Sequence, residues 1–437
     1  MSLVTKLSCV CCGREYAEGQ AMTCPTCGLD DGILDVHYDL SRAARTLSRA
    51  ALAERSCSLW RYRELLPVDG DPPATLANIG WTPLIETPRL ARALGIRRLR
   101  LKDDGRSASG SFKDRASAIG VARAIQAGAR AIACASTGNA ASSLAHCAAA
   151  VGLPAYIFVS RIVPEGKLAQ LLAYGARVFK VRGTYADAYE LCMRACEHFG
   201  WYNRNCAVNP YLVEGKKTGG LEIAEQCADD PPDWVVCSVG DGCSIAGVHK
   251  GLVQMKSIGV IDWEACMLGV QAAGVAPICE AFARCQTASG SDAHGAAGFS
   301  LRGAARAEAR GSAIGDTYAD SINVPVPRNW RKAVAAVRDS AGEFVSVSDE
   351  QIMTAVRQTG ALAGIFAEPA AAAAVAGITV ARELGIIAAG ASVVAMITGS
   401  GLKDIAGALR AVGEPHEIPP DLEQVVRVID SETSTSQ

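Results

Sequence analysis

Short apolar runs alternate with longer stretches of helical character through most of this chain. Between residues 129 and 200, the runs "ARAIACAS", "PAYIFVS" and "ARVFKVRG" each precede a helical stretch such as "TYADAYELCMRACEHFG". A second series begins with "DWVVCSVG" at 233–240 and ends with "SVVAMITGSG" at 392–401. Buried strands that alternate with helices predict parallel sheets covered by helices on both faces. We therefore predict an α/β protein.

Three parts of the chain interrupt this alternation. A Pro/Gly-rich stretch, "VDGDPPATLANIGWTPLI" at 68–85, follows a helical connector and marks the entry to the main body. Residues 284–330 are less regular and are expected to form loops. Residues 416–437, which end in "SETSTSQ", are expected to be a tail.

Composition and charge exclude several classes of partner. The 437 residues suffice for two or three domains, 20% of them are charged, and the formal net charge is −2. Because no basic block is present, we expect no binding to nucleic acid or to an anionic membrane surface. The start "MSLVTKLSCV" has no signal-peptide pattern, and the most apolar long stretch, "AEPAAAAAVAGITVARELG", is too short to span a bilayer. We expect a soluble, cytoplasmic protein.

The cysteines indicate a reducing compartment, in which thiols stay free or bind metal. Most of the 17 cysteines lie singly in apolar settings and are expected in the core. Two CxxC pairs, Cys9 with Cys12 and Cys24 with Cys27, instead provide four thiolates for a tetrahedral Zn²⁺ ion. Cys11 is an alternative ligand, and a ribbon that has lost its metal is the competing interpretation. Four thiolates leave no open coordination position, so the predicted zinc site is structural.

Three polar or glycine-rich turns each directly follow an apolar strand. In "VGDGCSIAG" (239–247), two glycines let the N–H groups of a helix N-terminus face an anion such as a phosphate. The turn "STGNAASS" (136–143) places hydroxyls and an amide where they can bind a carboxylate or merely cap a helix. The turn "TGSGLKD" (398–404) puts Thr398 at the carboxyl end of its strand, where ligands bind in open α/β sheets.

A lysine in a Gly/Ser-rich loop, Lys113 in "SGSFKDR", completes this set of features. Each feature alone has an ordinary explanation as a connecting turn, a helix cap or a solvated charge. Together they suggest a cofactor with one phosphate, a polar ring and an electrophilic carbon. Pyridoxal 5′-phosphate (PLP) has these properties, and lysine is its Schiff-base partner in proteins.

The chain resembles the threonine synthase family, whose members are PLP-dependent enzymes of fold type II. The segments "SGSFKDR", "STGNAASS", "PEGKLAQLLAYGARV", "NPYLVEGKKT" and "TGSGLKD" occur in this order in those enzymes. The cysteine-rich N-terminus also resembles the zinc ribbon that many of them carry. The resemblance implies two parallel-sheet α/β domains of the tryptophan synthase β type, a small N-terminal zinc ribbon and a homodimer.

The resemblance also implies a division of the chain into a ribbon, a linker, two domains and a tail. The segments are the ribbon at 1–40, a helical linker at 41–80, a large PLP-binding domain at 81–115 and 206–415, a small mobile domain at 116–205 and the tail at 416–437. Closure of the small domain over substrate would expel water and complete the site.

Individual residues take roles from the same resemblance. Lys113 is implied as the Schiff-base lysine and as the group that moves the Cα proton, for which burial must lower its pKa. The residues expected to contact the cofactor are Lys113, Asn139 at the ring hydroxyl, Gly240, Asp241, Gly242, Cys243 and Ser244 at the phosphate, and Thr398 at the ring nitrogen. Ser136 and Thr137 are expected to contact the α-carboxylate of the substrate. The full set of residues expected to contact the substrate is Ser136, Thr137, Ala140, Cys206, Ala207 and Leu212.

Several of these positions depart from the family in ways that weaken phosphate binding. Cys206, Ala207 and Leu212 stand where the family, in our alignment, carries Asn-Ser and an arginine. Ala140 replaces a threonine, and Asp241 replaces an asparagine. An anionic side chain near a substrate phosphate would repel it.

Three cations can compensate for these losses. Arg204, Lys216 and Lys217 remain nearby and provide another route to phosphate binding. In the competing interpretation, the two lysines are surface charges at the start of a helix. Glu368, in "AEPAAAA", matches a family position near the cofactor, but a helix N-terminal acid explains it equally well.

The leading hypothesis is an enzyme that converts O-phosphohomoserine to threonine by elimination and addition of water. The first alternative is a β-elimination or β-replacement enzyme, such as a serine/threonine dehydratase or a cysteate or cysteine synthase, which needs no phosphate subsite. The second is a catalytically silent binding protein on the same fold, which the intact Lys113, Asn139 and Thr398 argue against. In each enzyme hypothesis, the substrate is a small L-amino acid.

Overall fold

The computed structural model describes residues 2–161, 163–206, 208–287 and 316–435. Within these ranges, the chain forms a small antiparallel ribbon, a connector and two largely parallel β-sheets flanked by helices. The predicted α/β class with an N-terminal ribbon is therefore confirmed. Among the described helices, none combines the length and the apolar character that crossing a bilayer requires.

The N-terminal ribbon is a three-stranded antiparallel sheet. Its first strand, β1 (Val4–Cys9), lies between β2 (Glu15–Tyr16) and β3 (Leu34–Tyr38). One helical turn, α1 (Gly28–Asp31), directly follows the second cysteine pair. Alternate residues of β3 are buried, as expected for a strand with one face on the core.

Asp35 on β3 joins the ribbon to the main body. Its Oδ1 accepts hydrogen bonds from Lys250 at 3.1 Å and from Lys332 at 2.8 Å. Burial opposes ionisation of this carboxyl, but the two ammonium charges outweigh burial and hold its pKa far below the usual range. The ribbon is therefore attached to the body by an ion-pair network.

The connector consists of short helical pieces rather than one long helix. They are α2 (Leu40–Ala43), α3 (Arg49–Ala53) and 3₁₀ segments at Leu59–Leu65 and Ala74–Leu76. Ser48 caps α3, because its side chain accepts a hydrogen bond from the N–H of Ala51.

The described part of the main body contains ten strands. In chain order they are β4 (Leu84–Glu86), β5 (Arg98–Asp103), β6 (Ile132–Ala135), β7 (Ala155–Val159), β8 (Arg177–Lys180), β9 (Tyr202–Asn203), β10 (Trp234–Ser238), β11 (Cys266–Ala272), β12 (Glu343–Val347) and β13 (Ser392–Ile397). The apolar runs in the sequence correctly located five of them, β6, β7, β8, β10 and β13.

These strands form two separate sheets. The larger sheet has the order β12-β11-β10-β13-β5-β4, and all its pairs are parallel except the antiparallel pair of β4 and β5 at one edge. The smaller sheet has the order β8-β7-β6-β9 and is parallel throughout. Every residue of β6 and of β13 is buried, as expected for parallel strands covered on both faces.

Helices alternate with these strands along the chain. They are α4 (Pro88–Ala93), α5 (Lys113–Gln126), α6 (Asn139–Ala150), α7 (Glu165–Ala173), α8 (Tyr185–Phe199), α9 (Tyr211–Gln226), α10 (Cys243–Ser257), α11 (Pro277–Thr287), α12 (Trp330–Asp339), α13 (Asp349–Ala363), α14 (Pro369–Glu383), α15 (Ile405–Ala411) and α16 (Leu422–Thr435). Single 3₁₀ turns lie at Asp104–Arg106, Asp320–Ile322 and Gly401–Lys403.

Two regions expected to be irregular contain helices. The segment 284–330 includes the end of α11 and the 3₁₀ turn at Asp320–Ile322, while residues 288–315 lie outside the described residues. The expected tail at 416–437 contains α16, whose apolar residues Leu422 and Val426 are exposed. An amphipathic period in this polar stretch was the signal that our sequence analysis missed.

Close helix packing places residues 214–220 of α9, "EGKKTGG", in the interior of the protein. A Cβ at Gly215 would lie 2.2 Å from the carbonyl oxygen of Arg115, and a Cβ at Gly220 would lie 2.0 Å from that of Val248. Glycine at these positions lets α9 contact α5 on one side and α10 on the other. The charged side chains of α9 are therefore held inside the protein, beside the start of α5.

Candidate functional site

Lys113 lies near the carboxyl end of β13, where the sequence predicts Thr398. It is the first residue of α5, and the N–H of the preceding Phe112 donates to the carbonyl oxygen of Thr398 at 2.9 Å. Thr398 directly follows the last residue of β13. The two residues expected at opposite ends of one cofactor are thus neighbours.

The environment of Lys113 favours its neutral amine. Burial lowers its pKa, and the positive charges of Lys216 and Arg204 lower it further, while Cys206 and Cys243 act in the opposite direction. The side chain is only half-buried, and no described residue accepts a hydrogen bond from its Nζ. A half-buried amine with a lowered pKa and no described hydrogen-bond partner is suited to covalent attachment and to proton transfer.

The turn at 136–140 does not behave as an ordinary helix cap. The N-cap of α6 is Gly138, and no side chain caps this helix. The hydroxyl of Ser136 accepts a hydrogen bond from the N–H of Gly138 at 3.1 Å. Thr137 and Ala140 are half-buried, and the described residues provide no hydrogen-bond partner for the Thr137 hydroxyl. The capping interpretation is therefore wrong, and these groups remain open to a ligand.

The side-chain amide of Asn139 is buried, and only its Nδ2 group has hydrogen-bond partners among the described residues. Its Nδ2 lies 2.9 Å from both carboxylate oxygens of Glu368, whereas its Oδ1 is buried without a hydrogen-bond partner. Buried amide oxygens are rarely left unpaired unless a ligand or water completes the site. The orphaned oxygen therefore indicates a position for a ligand hydroxyl.

Glu368 is the N-cap residue of α14, but its side chain does not cap that helix. Glu368 therefore lies at a helix N-terminus, as the alternative interpretation had it, but its carboxylate is hydrogen-bonded to Asn139 and not to the N–H groups of the helix. Burial raises its pKa, and the hydrogen bond from Asn139 and the charges of Lys167, Lys113 and Lys403 oppose this only partly. The sequence motif located Glu368, but the contact with Asn139 was not foreseen.

The glycine loop forms an anion cradle at the N-terminus of α10. Gly242 is the N-cap residue, with φ of +92°, and a Cβ there would lie 2.9 Å from the carbonyl oxygen of Asn329. A Cβ at Gly240 would lie 3.1 Å from the Cα of Ile322. Both positions therefore favour glycine, and Cys243 and Ser244 begin the helix whose N–H groups attract anions.

Asp241 is fully engaged by its neighbours in this loop. Its carboxylate accepts hydrogen bonds from the N–H of Arg328 at 2.7 Å and from the Nδ2 of Asn329 at 2.8 Å. The thiol of Cys243 donates to Oδ2 at 3.0 Å. The contacts of the Asp241 side chain therefore serve to hold residues 328–329 against the loop.

Arg204 and Lys216 converge on Cys206. The Nη1 of Arg204 lies 3.7 Å and the Nζ of Lys216 lies 3.5 Å from the Sγ of Cys206. Both cations are buried, and Lys217 is buried against Glu214 at 2.5 Å. The interpretation of the two lysines as surface charges is therefore wrong.

The other two expected substrate positions differ from Cys206. Leu212 is completely buried, and a Cβ at Gly120 would lie 2.8 Å from its Cδ2, so this side chain packs against α5. Ala207 lies outside the described residues. Cys206 is half-buried and is the position of the three with a charged environment.

The residues around Lys113 fit PLP. An accessible amine suits an aldehyde, an unpaired amide oxygen suits a ring hydroxyl, and a glycine loop at a helix N-terminus suits one phosphate. Thr398 follows the end of β13, and its carbonyl oxygen accepts from the N–H of Phe112, the residue before Lys113. These residues are the donor set that the sequence predicts for this cofactor.

A second site lies in the ribbon. Four thiol sulfurs lie within 4.8 Å of one another, those of Cys9, Cys12, Cys24 and Cys27. These four thiols can therefore hold a metal ion. The phenol of Tyr16 donates a hydrogen bond to the Sγ of Cys24 at 3.1 Å. Cys11, the alternative ligand, is not part of this cluster.

The chain matches a family model and several curated proteins. The model described as pyridoxal-phosphate dependent enzyme matches residues 75–399. A Methanosarcina acetivorans protein named threonine synthase is 35% identical over 425 residues, which cover 97% of this chain and 98% of the relative. A Synechocystis protein of the same name is 36% identical over 387 residues, or 86% of this chain and 92% of the relative.

Solved structures show the same fold at lower identity. A processed threonine deaminase isoform from Solanum lycopersicum superposes with a TM-score of 0.59 at 20% identity, covering 76% of this chain and 87% of that chain. At this identity, the likeness concerns the fold alone. It confirms the fold type II architecture that the resemblance implied.

Proposed function

This chain belongs to the pyridoxal-phosphate-dependent enzymes and, within them, to the threonine synthase family, and on that premise we propose that it forms threonine from O-phospho-L-homoserine. The observation that carries the proposal is the half-buried amine of Lys113, which has no described hydrogen-bond partner and follows Phe112, whose N–H donates to the carbonyl oxygen of Thr398. Relatives named threonine synthase cover nearly the whole chain and do not favour a dehydratase, a cysteine or cysteate synthase, or a silent binding protein.

Bound PLP supplies an electron sink that acidifies the bonds at Cα of an amino acid. The Nζ of Lys113 would hold the cofactor and, once released, accept and return the Cα proton. Its lowered pKa keeps a larger fraction of the amine neutral near pH 7 and therefore able to accept that proton. The Oδ1 of Asn139 would accept a hydrogen bond from the ring hydroxyl of PLP, and the N–H groups of residues 240–244 would bind its phosphate. The hydroxyl of Thr398 would form a hydrogen bond with the ring nitrogen.

The substrate would be oriented by two groups of residues. Ser136 and Thr137 present hydroxyls at a helix N-terminus, which suits the α-carboxylate. Arg204 and Lys216 provide two buried positive charges next to Cys206, which suits a phosphate at the other end of the substrate. These cations would replace the donors that are missing at 140, 206, 207 and 212.

Phosphate release from O-phospho-L-homoserine by the PLP-loaded protein tests the proposal. We expect phosphate and threonine to appear together, and Lys113→Ala to lose both activities and the yellow absorbance of the covalently held cofactor. A yellow wild-type protein that releases no phosphate would eliminate this substrate but not the cofactor. Serine, threonine and O-phosphoserine would then be tested as substrates.

We further propose that the ribbon binds Zn²⁺ in a structural role, since four thiolates are the ligands that such sites use. A homodimer and a cytoplasmic location are proposed from the family resemblance and from the many free cysteines. Metal analysis of the purified protein tests zinc binding, and size-exclusion chromatography tests the homodimer.

A further inference from the structure

Cys206 lies between two buried cations. Lys216 and Arg204 are 2% and 1% exposed, and both donate to the Cys206 sulfur. Among the described residues, the other donors of Arg204, Nη2 and Nε, contact only the neutral hydroxyl of Ser117, at 2.9 and 3.2 Å. The sulfur is therefore the acceptor that the two positive charges share.

Several other buried cations of this protein are matched by carboxylates, although the buried Lys403 donates instead to Ser142 and Gln170. Lys217, the next residue after Lys216, pairs with Glu214, and Lys102 lies 2.7 Å from Glu222. Within the described ranges, no carboxylate forms an ion pair with Lys216 or Arg204. Asp241 lies close enough to raise the pKa of Lys216, but its oxygens are already occupied by Arg328, Asn329 and Cys243.

Two adjacent buried cations without an anion are strongly unfavourable. A thiol would accept only weak hydrogen bonds from them, whereas a thiolate would also supply a negative charge at the shared position. The geometry therefore favours the ionised form of Cys206.

We propose that Cys206 is a thiolate and serves as the counter-ion of Lys216 and Arg204. This thiolate would be a nucleophile and therefore a modification site for soft electrophiles. With iodoacetamide, its sulfur would form a bond to carbon while iodide leaves with the bonding electron pair, so no oxidant is needed. The inference goes beyond the proposed function, because it holds whichever amino acid the enzyme uses.

The charged groups of the surrounding elements agree with this assignment. The contact with Cys243 lowers the pKa of Cys206, burial opposes this, and the charges of Lys216, Arg204 and Lys113 lower the pKa further, to well below the usual range. Conversely, the contact with Cys206 raises the pKa of Cys243, whose thiol donates to Asp241. From β6, the buried Cys134 faces the same region, and burial raises its pKa.

An anion that binds Lys216 and Arg204 would compete with the thiolate. If it neutralises these cations, the pKa of Cys206 should rise, and one proton should be taken up on binding. Inorganic phosphate is the probe for this effect. A phosphate-bearing substrate would have the same consequence, which links the occupancy of the subsite to the reactivity of Cys206.

The ultraviolet absorbance of the thiolate provides the test, because it does not depend on access to the sulfur. The PLP-loaded wild type and Cys206→Ser are titrated with acid and base, and their difference spectrum reports Cys206 among the 17 cysteines. We expect a thiolate already at neutral pH. Lys216→Gln should raise the midpoint by about one to two pH units, because it removes a neighbouring opposite charge.

Lys332→Gln is the matched control, since it removes a lysine whose partners, Asp35 and the Leu34 carbonyl, lie in the ribbon. It should leave the midpoint unchanged. Alkylation with iodoacetamide followed by peptide mapping gives a second readout, with half-buried Cys266 as the internal reference. Cys206 should react faster, and phosphate should slow only its modification.

A wild-type midpoint near that of an ordinary thiol, about 8.5, would overturn the proposal. An unchanged midpoint in folded Lys216→Gln would do the same. If that variant does not fold, the wild-type titration with and without inorganic phosphate decides the question. A failure of threonine formation would leave these spectra unaffected, so the two proposals can fail separately.

Discussion

The side-chain amide of Asn139 lies 2.9 Å from each carboxylate oxygen of Glu368, a residue 229 positions further along the chain. This contact joins the start of α6, which covers the small sheet, to the start of α14, which covers the large one. It also fixes the orientation of the amide, so that Oδ1 is the atom left for a ligand. One contact thus links the two sheets and prepares the proposed cofactor site.

Glu368→Gln should stabilise the protein more at high pH than at low pH. Because burial raises the pKa of Glu368 in the folded state, its carboxylate form carries a cost that appears as pH rises above the unfolded value of about 4.3. Glutamine avoids this cost, which is about 1.4 kcal/mol for every tenfold difference in acidity between the folded and the unfolded state. Thermal unfolding of both proteins at pH 4.5 and pH 8 measures the difference. A variant that is less stable at pH 8 would contradict this account.

Lys216→Gln should weaken binding of a phosphate-bearing substrate. Loss of one charge-assisted contact costs about 1.5–3 kcal/mol, so KM for O-phosphohomoserine should rise about tenfold to a hundredfold. We expect kcat to change less, since Lys216 is proposed to orient the substrate rather than to move its protons. Steady-state kinetics with Lys332→Gln as control measures both constants. An unchanged KM would mean that the phosphate binds elsewhere.

Asp35→Asn should loosen the ribbon, and the effect should depend on pH. A carboxyl whose folded pKa is depressed stabilises the protein above its unfolded pKa, and this stabilisation is lost as pH falls towards the folded value. We expect a loss of about 2 kcal/mol at pH 7, less than for a fully buried pair. The difference from wild type should shrink as the pH falls below about 4. Unfolding by urea at several pH values tests this dependence.

Removal of one thiol should abolish metal binding by the ribbon. Cys24 is buried within the four-sulfur cluster, so Cys24→Ser should reduce the zinc content of the purified protein and lower its melting temperature. Cys11→Ser is the matched control and should keep both values, because Cys11 is not part of the cluster. Metal analysis and calorimetry read the two effects separately. A full zinc complement in Cys24→Ser would exclude the proposed ligand set.

Local patterns in the sequence predicted much of the fold. Continuous apolar runs located three strands of the smaller sheet and two of the larger one, because parallel strands are buried on both faces. The glycine loop at 240–244 was predicted to open a helix and does so at Gly242. These features depend on near neighbours in the chain, and the sequence expresses them directly.

Predictions about single side chains were less successful. The sequence left Lys216 and Lys217 open as either surface charges or cations for a phosphate, and both are buried because α9 runs between α5 and α10. Leu212 was expected to contact substrate, but it fills the space above Gly120. In each case, the burial of the side chain depends on residues that lie far away in the chain, so the local sequence pattern does not predict it.

The sequence by itself determined the order of the elements, the lysine in its Gly/Ser loop and the cysteine pairs of the ribbon. The tertiary structure alone decided which charges are paired. Lys217 finds Glu214 within its own helix, whereas Lys216 and Arg204 meet only at Cys206. Burial removes the water that would otherwise solvate such charges, so their state depends on partners that only the folded chain brings together.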